Sequence, residues 1–301
     1  MEHDQKEYKW LVIGADGMIG SSLMAYLLST GESALGSALF PDDSDSHIFS
    51  LDLTANLSKW KPPEGLSFAY LCAAMSSIEY CEQNKEEAEK INVHGTCVLA
   101  ETLYEKNVFT VFPSTSLVFD GALPYAKASD PVNATTEYGK QKVKVENKIL
   151  SFGNRSSVVR FTKIVGHSST LFLDWISKLK RGENIKPFSD MVTSPIPLSF
   201  AVKVLIGVAE QRLSGIIQVS GKEDIKYSDI AFYIADKIGA DSNLIKPILS
   251  REAGISFTAI PPKHTTLDTS RLEAKLGMTP PSVWETIDYA CGFVKSNSAY
   301  S

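Results

Sequence analysis

The chain contains no apolar run approaching the roughly 18 residues that would cross a bilayer, and its opening stretch, residues 1–8, is polar and charged. Neither a membrane span nor a signal peptide is expected, and a cytoplasmic location is. Basic residues are not in excess: 30 Lys and Arg face 35 Asp and Glu, for a net charge of -5. That balance argues against a nucleic-acid or anionic-membrane partner, because both are gripped through clustered cations. Cysteines are few. Cys72, Cys81, Cys97 and Cys291 lack metal-ligand spacing and sit in apolar or helical surroundings, so they read as reduced core thiols, and no metal site is expected. Internal repeats and low-complexity linkers are missing too. A hydrophobic fraction of 44% and a charged fraction of 22% leave an ordinary globular chain, whose 301 residues suffice for one large or two modest domains.

What is present is a rhythm of short apolar runs. Residues 9–13 read as a strand buried on both faces, and similar runs recur at 34–40, 48–53, 67–74, 108–113 and 157–161. Helical spacing separates several of them: 19–28, stopping at Ser29-Thr30-Gly31; 85–106, with Ala88, Ile91, Val98, Leu99 and Leu103 on one side; and 138–150. Strands alternating with helices predict right-handed crossovers and an α/β fold built on a doubly wound parallel sheet. Beyond residue 166, prolines punctuate shorter elements, and 215–220 reads as one more strand. The expected organisation is a sheet domain over 1–165 with a returning segment near 190–220, interleaved with a smaller lobe over 166–301.

Gly14-Ala-Asp-Gly17-Met18-Ile19-Gly20 follows the first strand directly and opens the first helix. Glycines there let the backbone turn sharply and approach a pyrophosphate, while helix amides and the positive dipole end stabilise its charge. The sheet domain is therefore expected to be a Rossmann unit that binds a nicotinamide dinucleotide. Preference between NAD and NADP turns on the tip of the second strand, which reads Ala38-Leu39-Phe40-Pro41-Asp42-Asp43. Phe40 stands about where an acid or base is expected, the acids come two residues late, and no Arg or Lys is near, so the tip leans to NAD.

Tyr138-Gly-Lys-Gln-Lys142 opens a predicted helix, and its i, i+4 spacing puts phenol and ammonium on one face. A neighbouring cation is expected to lower the phenol pKa toward the working range, with Lys142 also reaching the nicotinamide ribose. Upstream, the strand at 108–113 ends in Ser114-Thr115-Ser116 and delivers a hydroxyl to the carboxyl edge of the sheet, where ligands bind. Thr115 can there polarise a substrate carbonyl while Tyr138 protonates its oxygen.

With these motifs in this order, the chain resembles an extended short-chain dehydrogenase, and specifically the dTDP-4-dehydrorhamnose reductase family of nucleotide-sugar reductases. The likeness covers nearly the whole chain and includes the stretch from Ala73 to Glu82, Asn92-Val-His-Gly-Thr96, Val118-Phe-Asp-Gly121, Pro124-Tyr125, Val159-Arg160 and Leu267-Asp-Thr-Ser-Arg-Leu272. The resemblance implies that Thr115, Tyr138 and Lys142 form the catalytic set. It also implies that Gly14, Gly17, Met18, Ile19, Gly20, Asp52, Leu53, Ala73 and Ala74 line the cofactor, Asp52 at the adenine. Related dehydratases carry an Asp-Glu pair where this chain has Ser116 and Leu117, which disfavours dehydration. The substrate pocket departs from the family: Ser116 replaces an aspartate, Lys163 a tryptophan or asparagine, and Pro261-Pro262-Lys263-His264 an arginine-proline pair. Ser116, Lys163 and Lys263 are the expected substrate contacts, and His264 is read as structural.

The function expected is NAD(P)-dependent reduction of a keto-sugar, at the 4-keto group of a nucleotide-activated deoxysugar. An epimerase on the same scaffold is one alternative. A non-catalytic regulatory subunit, like the methionine adenosyltransferase partner that this family resembles, is another. A homodimer through helices such as 85–106 is compatible with the pattern.

Overall fold

The computed structural model describes residues 7–42, 44–167, 169–253 and 261–294. In chain order the elements begin β1 (Trp10–Ile13), α1 (Met18–Ser29), β2 (Ala34–Ala38), β3 (Ile48–Ser50), β4 (Phe68–Leu71), α2 (Ile78–Gln83) and α3 (Lys85–Glu89). A π-helical turn (Lys90–Gly95) then leads into α4 (Thr96–Glu105), β5 (Phe109–Thr115), α5 (Glu137–Leu150), β6 (Ser156–Phe161), β7 (Ile164–Val165) and α6 (Thr170–Lys180). The chain continues with β8 (Val192–Thr193), β9 (Ile196–Pro197), α7 (Leu198–Glu210), β10 (Gly215–Val219), β11 (Ile225–Lys226), α8 (Tyr227–Ile238), α9 (Ser270–Leu276) and α10 (Val283–Ala290).

Seven strands form one sheet in the order β10-β6-β5-β4-β1-β2-β3, and the pairs from β5 through β3 are parallel. The order reverses at β1, so β4 lies on one side of it and β2 on the other. Between the carboxyl ends of β1 and β4 is the switch point where such sheets open a crevice. The chain is thus the doubly wound α/β fold that the alternation predicts.

By compactness the chain divides into two units: residues 1–115, 137–160 and 202–217 form one, and 116–136, 161–201 and 218–301 the other. The sequence pattern put the boundary at 165 and the return at 190–220. Segment 116–136 leaves the sheet unit because it is looped out between β5 and α5.

Alternation along the strands sends successive side chains to opposite faces. Leu11, Ile13, Ala69, Leu71, Phe112 and Val158 pack with Leu99, Leu103, Val145 and Ile149 from α4 and α5. Tyr70 projects the other way and donates its hydroxyl to the Leu205 carbonyl on α7 at 3.3 Å. The second unit has its own core, in which Phe172, Trp175 and Leu179 of α6 meet Ile230 and Ile234 of α8 and Val283 and Ile287 of α10. All four cysteines are free thiols. Among the described residues no helix is long and apolar enough to cross a membrane.

Candidate active site

β1 runs into Gly14, whose φ of +82° suits glycine and strains other residues. Gly14 and Ala15 donate their amides to the Ser37 carbonyl at 3.0 and 2.7 Å, while Cys72 and Ala73 both donate to the Ile13 carbonyl at 2.9 Å. The turn is clamped between the ends of β2 and β4. A Cβ on Gly14 would lie 2.6 Å from the Ala73 backbone, and one on Gly20 only 2.0 Å from the Gly14 carbonyl oxygen. Packing inside the chain therefore demands these two glycines.

Gly17 is different. Its φ of -77° is open to any residue, and an added Cβ would meet nothing closer than 3.5 Å. It is the N-cap of α1, yet among the described residues no side chain caps that helix, no acid stands in its first turn, and Met18 is 49% exposed. Gly17 and Met18 are both exposed, so the positive dipole end of α1 reaches the surface there, which fits the pyrophosphate of a dinucleotide. Around this turn, Ala73 and Ala74 are half-buried at the end of β4. Leu53 is held by the π turn: a Cβ on Gly95 would stand 2.4 Å from the Leu53 carbonyl oxygen. Asp52 is exposed and its carboxylate accepts from the amide and hydroxyl of Thr54, both at 2.7 Å, which hold it below the ordinary carboxylate range.

β2 ends at Ala38, two residues before the expected end, because no neighbouring strand follows it further. Leu39 and Phe40 emerge exposed, Phe40 at 87%. Asp42 is turned onto the amide and hydroxyl of Ser44 at 2.9 and 2.7 Å. Asp43 lies outside the described residues.

Tyr138 and Lys142 share a face of α5, with the ammonium 5.6 Å from the phenol ring centroid. The Lys142 Nζ donates to the Pro113 carbonyl at 3.0 Å and lies 4.3 Å from the Phe112 ring centroid. This fixes Lys142 against the end of β5, whose last residue is the half-buried Thr115. One expectation is overturned. The phenol of Tyr138 is not lowered by the ammonium: burial pushes it well above the ordinary tyrosine value, and the Cys81 sulfur adds to the rise. Burial acts on the lysine as well and brings Lys142 down to about 8. A dielectric low enough to disfavour a bare phenolate also disfavours a bare ammonium.

Several buried polar groups around this pair were not singled out from the sequence. Asn92, in the π turn, accepts from the Met75 amide at 2.7 Å and donates to the Met75 carbonyl at 2.9 Å and to Gln141 Oε1 at 2.7 Å. It pins the segment after β4 to α5. Glu146, one turn beyond Lys142, pairs with Arg160 of β6 and accepts the Ser114 hydroxyl. The available signal was Tyr138, Lys142 and Glu146 at i, i+4 and i+8, which puts two charges and a phenol on the stripe of α5 that otherwise buries Val145 and Ile149.

The expected substrate residues fall in the second unit. Ser116 is half-buried and lines a small cavity with Leu117, Phe119, Pro262 and His264. Gly121, at φ +69°, accepts the His264 amide at 3.0 Å and leaves no room for a Cβ, which would sit 2.3 Å from Pro262. Ser116 and Lys263 thus lie on two segments packed together. Lys163 is on neither; its side chain is exposed and its carbonyl accepts from Ile196 at 2.9 Å. Lys263 is exposed as well. His264 Nδ1 stands 3.0 Å from Asp224 Oδ2, in a cluster where Asp224 also accepts from Thr265 and Thr266.

A phosphate-fitting glycine turn after β1, a threonine at the end of β5 and a Tyr/Lys pair on the helix that follows define an extended short-chain dehydrogenase/reductase, a class of NAD(P)-dependent oxidoreductases. Within that class the chain belongs to the RmlD substrate binding domain family, whose pattern matches residues 8–291. It is similar to the probable low-salt glycan biosynthesis reductase Agl14 of Haloferax volcanii, 25% identical over 90% of this chain and 93% of that protein. Likeness to the dTDP-4-dehydrorhamnose reductase of Aggregatibacter actinomycetemcomitans is 25% over 91% and 95%. Methionine adenosyltransferase 2 subunit beta of Danio rerio is 26% identical over 87% and 83%. Among solved structures, a dTDP-4-dehydrorhamnose reductase from Clostridium acetobutylicum superposes with a TM-score of 0.79 at 25% identity, covering 93% of this chain and 98% of that one. The fold is shared with MoeE5 in complex with UDP-glucose and NAD (TM-score 0.79, 20% identity, 94% and 97% covered). It is shared as well with a Bacillus anthracis dTDP-4-dehydrorhamnose reductase in complex with NADP (0.75, 21%, 94% and 98%).

Proposed function

We propose that the chain reduces the 4-keto group of a nucleotide-activated deoxysugar at the expense of NADH or NADPH, using Thr115, Tyr138 and Lys142. The observation that carries the proposal is Lys142 on the Pro113 carbonyl, which sets the Tyr/Lys face of α5 against the strand end bearing Thr115. A bound nicotinamide supplies hydride to the carbonyl carbon. The carbonyl oxygen then needs a proton, and Tyr138, whose burial keeps its hydroxyl protonated, donates it. The Thr115 hydroxyl hydrogen-bonds the same oxygen as charge builds there. Lys142, an ammonium below about pH 8, hydrogen-bonds the nicotinamide ribose and stabilises the phenolate once the proton has left. Gly17 and the α1 amides take the pyrophosphate, and Asp52, Leu53, Ala73 and Ala74 the adenosine half. Ser116, Lys163 and Lys263 contact the substrate, the lysines offering cations to its phosphates.

The test is turnover of purified protein with 4-keto-deoxysugar nucleotides. Tyr138→Phe should lower kcat by about 10²- to 10⁴-fold while dinucleotide binding persists; unchanged turnover sinks the assignment. A second reading is favoured by the likeness to methionine adenosyltransferase 2 subunit beta: a regulatory subunit without turnover. Stoichiometric capture of a methionine adenosyltransferase, with no cofactor oxidation on any keto-sugar, would establish it instead.

A further inference from the structure

Glu146 is 2% exposed, and a carboxylate withdrawn from water to that degree needs a cation and donors around it. Arg160 supplies the cation from β6: its Nε lies 3.0 and 3.2 Å from the two carboxylate oxygens and its Nη2 2.7 Å from Oε2. Ser114, on β5, donates its hydroxyl to Oε1 at 2.5 Å. Ser114 stands between Pro113, whose carbonyl holds the Lys142 ammonium, and Thr115. One carboxylate therefore ties α5, β5 and β6 together within a residue of both groups assigned to chemistry. Apolar packing of similar volume often serves stability as well as a buried ion pair does. The location of this pair points to a task beyond holding the fold.

We propose that Ser114, Glu146 and Arg160 are positioning residues, a buried bracket that locks the Tyr/Lys face of α5 to the end of β5 and sets a carboxylate one helical turn from the Lys142 side chain. The catalytic part of this inference rests on the role given to Lys142 above. The groups that face Lys142 are Tyr138 and Glu146 on its own helix, Cys72 at the end of β4 and Cys81 on α2, with Arg160 behind Glu146; β5 offers it the Pro113 carbonyl and the Phe112 ring. Burial draws Lys142 down, and negative charge on Cys72, Glu146 or Cys81 would push it back up. Burial, however, raises the Cys72 thiol to about 12 and raises Cys81 too, so both remain neutral where Lys142 titrates. Of the three, Glu146 is the one held in an ion pair, with Arg160 at 2.7 Å.

The test is a Glu146→Gln/Arg160→Gln double variant, which replaces the ion pair with a neutral hydrogen-bonding pair and strands no buried charge. Lysine side-chain ¹⁵N NMR, with the Lys142 signal assigned by Lys142→Met, reads the titration without any substrate. The Lys142 midpoint should fall below its wild-type value, and the alkaline loss of NADH affinity, followed by fluorescence, should move down with it. Glu146→Asp, which keeps the charge, should leave the midpoint close to the wild-type value. Ser114→Ala keeps both charges and should leave the midpoint in place while lowering kcat several-fold at unchanged KM. An unchanged Lys142 midpoint in the folded double variant overturns the proposal. If that variant does not fold, wild-type kcat in Ser114→Ala overturns it. A Lys142 shift in the double variant, with no reductase activity in the wild-type protein, sinks the proposed function and leaves the charge relation standing.

Discussion

The two kinds of glycine in the turn after β1 separate folding from ligand binding. At Gly17 an alanine fits: the backbone is in an ordinary region and the new methyl meets no atom closer than 3.5 Å. An alanine N-cap costs about 0.5 kcal/mol relative to glycine, worth about 1–2 °C in Tm at this size. The methyl would nonetheless occupy the space over the α1 amides. If one charge-assisted hydrogen bond to a phosphate is lost, at about 1.5–3 kcal/mol, dinucleotide affinity should fall roughly 10- to 150-fold. At Gly20 the added Cβ would overlap the Gly14 carbonyl oxygen at 2.0 Å, a backbone atom that no rotamer change can move. Gly20→Ala should therefore cost about 1–3 kcal/mol or more by overpacking, seen as a Tm loss of several degrees. Thermal denaturation together with calorimetric titration of NADH tells them apart: Gly17→Ala should stay within about 2 °C of the wild-type Tm and lose affinity, and Gly20→Ala should lose several degrees. A Gly17→Ala protein that binds NADH within twofold of wild type would refute the phosphate cradle.

Three further outcomes are expected. Because Lys142 is lowered to about 8, its ammonium is present below that pH and lost above it, so the reduction rate should decline on the alkaline side; a stopped-flow profile flat well past pH 8 would remove Lys142 from the mechanism. Asn92→Ala leaves the Met75 amide and carbonyl and the Gln141 side chain without their buried partner, and should cost about 1–3 kcal/mol in urea denaturation. Asp224→Ala removes the acceptor of the Thr265 and Thr266 amides and hydroxyls, so hydrogen exchange at those two amides should accelerate while exchange in β1 and β4 stays as in wild type.

How far the residue pattern foretells this molecule depends on whether the signal is local. Three-residue spacing from Gly14 to Gly20 after an apolar run specifies strand, turn and helix from neighbouring residues alone, and the i, i+4 spacing of Tyr138 and Lys142 fixes their common face. Strand ends are less legible: residues 39 and 40 are as apolar as those before them, and only the lack of a partner beyond Ala38 ends β2. The stretch 85–106, expected as one regular helix, contains the π turn, because Asn92 is drawn onto Met75 some seventeen residues earlier in the chain. Spacing conveyed that a cation neighbours Tyr138, but not the dielectric around the two, and so gave the wrong sign for the phenol. The Glu146–Arg160 pair and the Asp224 cluster join residues 14 and 40 to 42 apart, beyond the reach of any local pattern.

The π turn at Lys90–Gly95 makes chain length itself part of the site. A regular helix advances about 100° per residue, so removing one residue from this turn would straighten the hydrogen-bond ladder while rotating everything before it by that angle relative to α4. Asn92 would swing off Met75, and Ala88 would leave its buried seat. Apart from Asn92 and Gly95, side chains here can be exchanged one at a time, but the residue count cannot change, which makes this turn a window where insertions and deletions should be more damaging than most replacements.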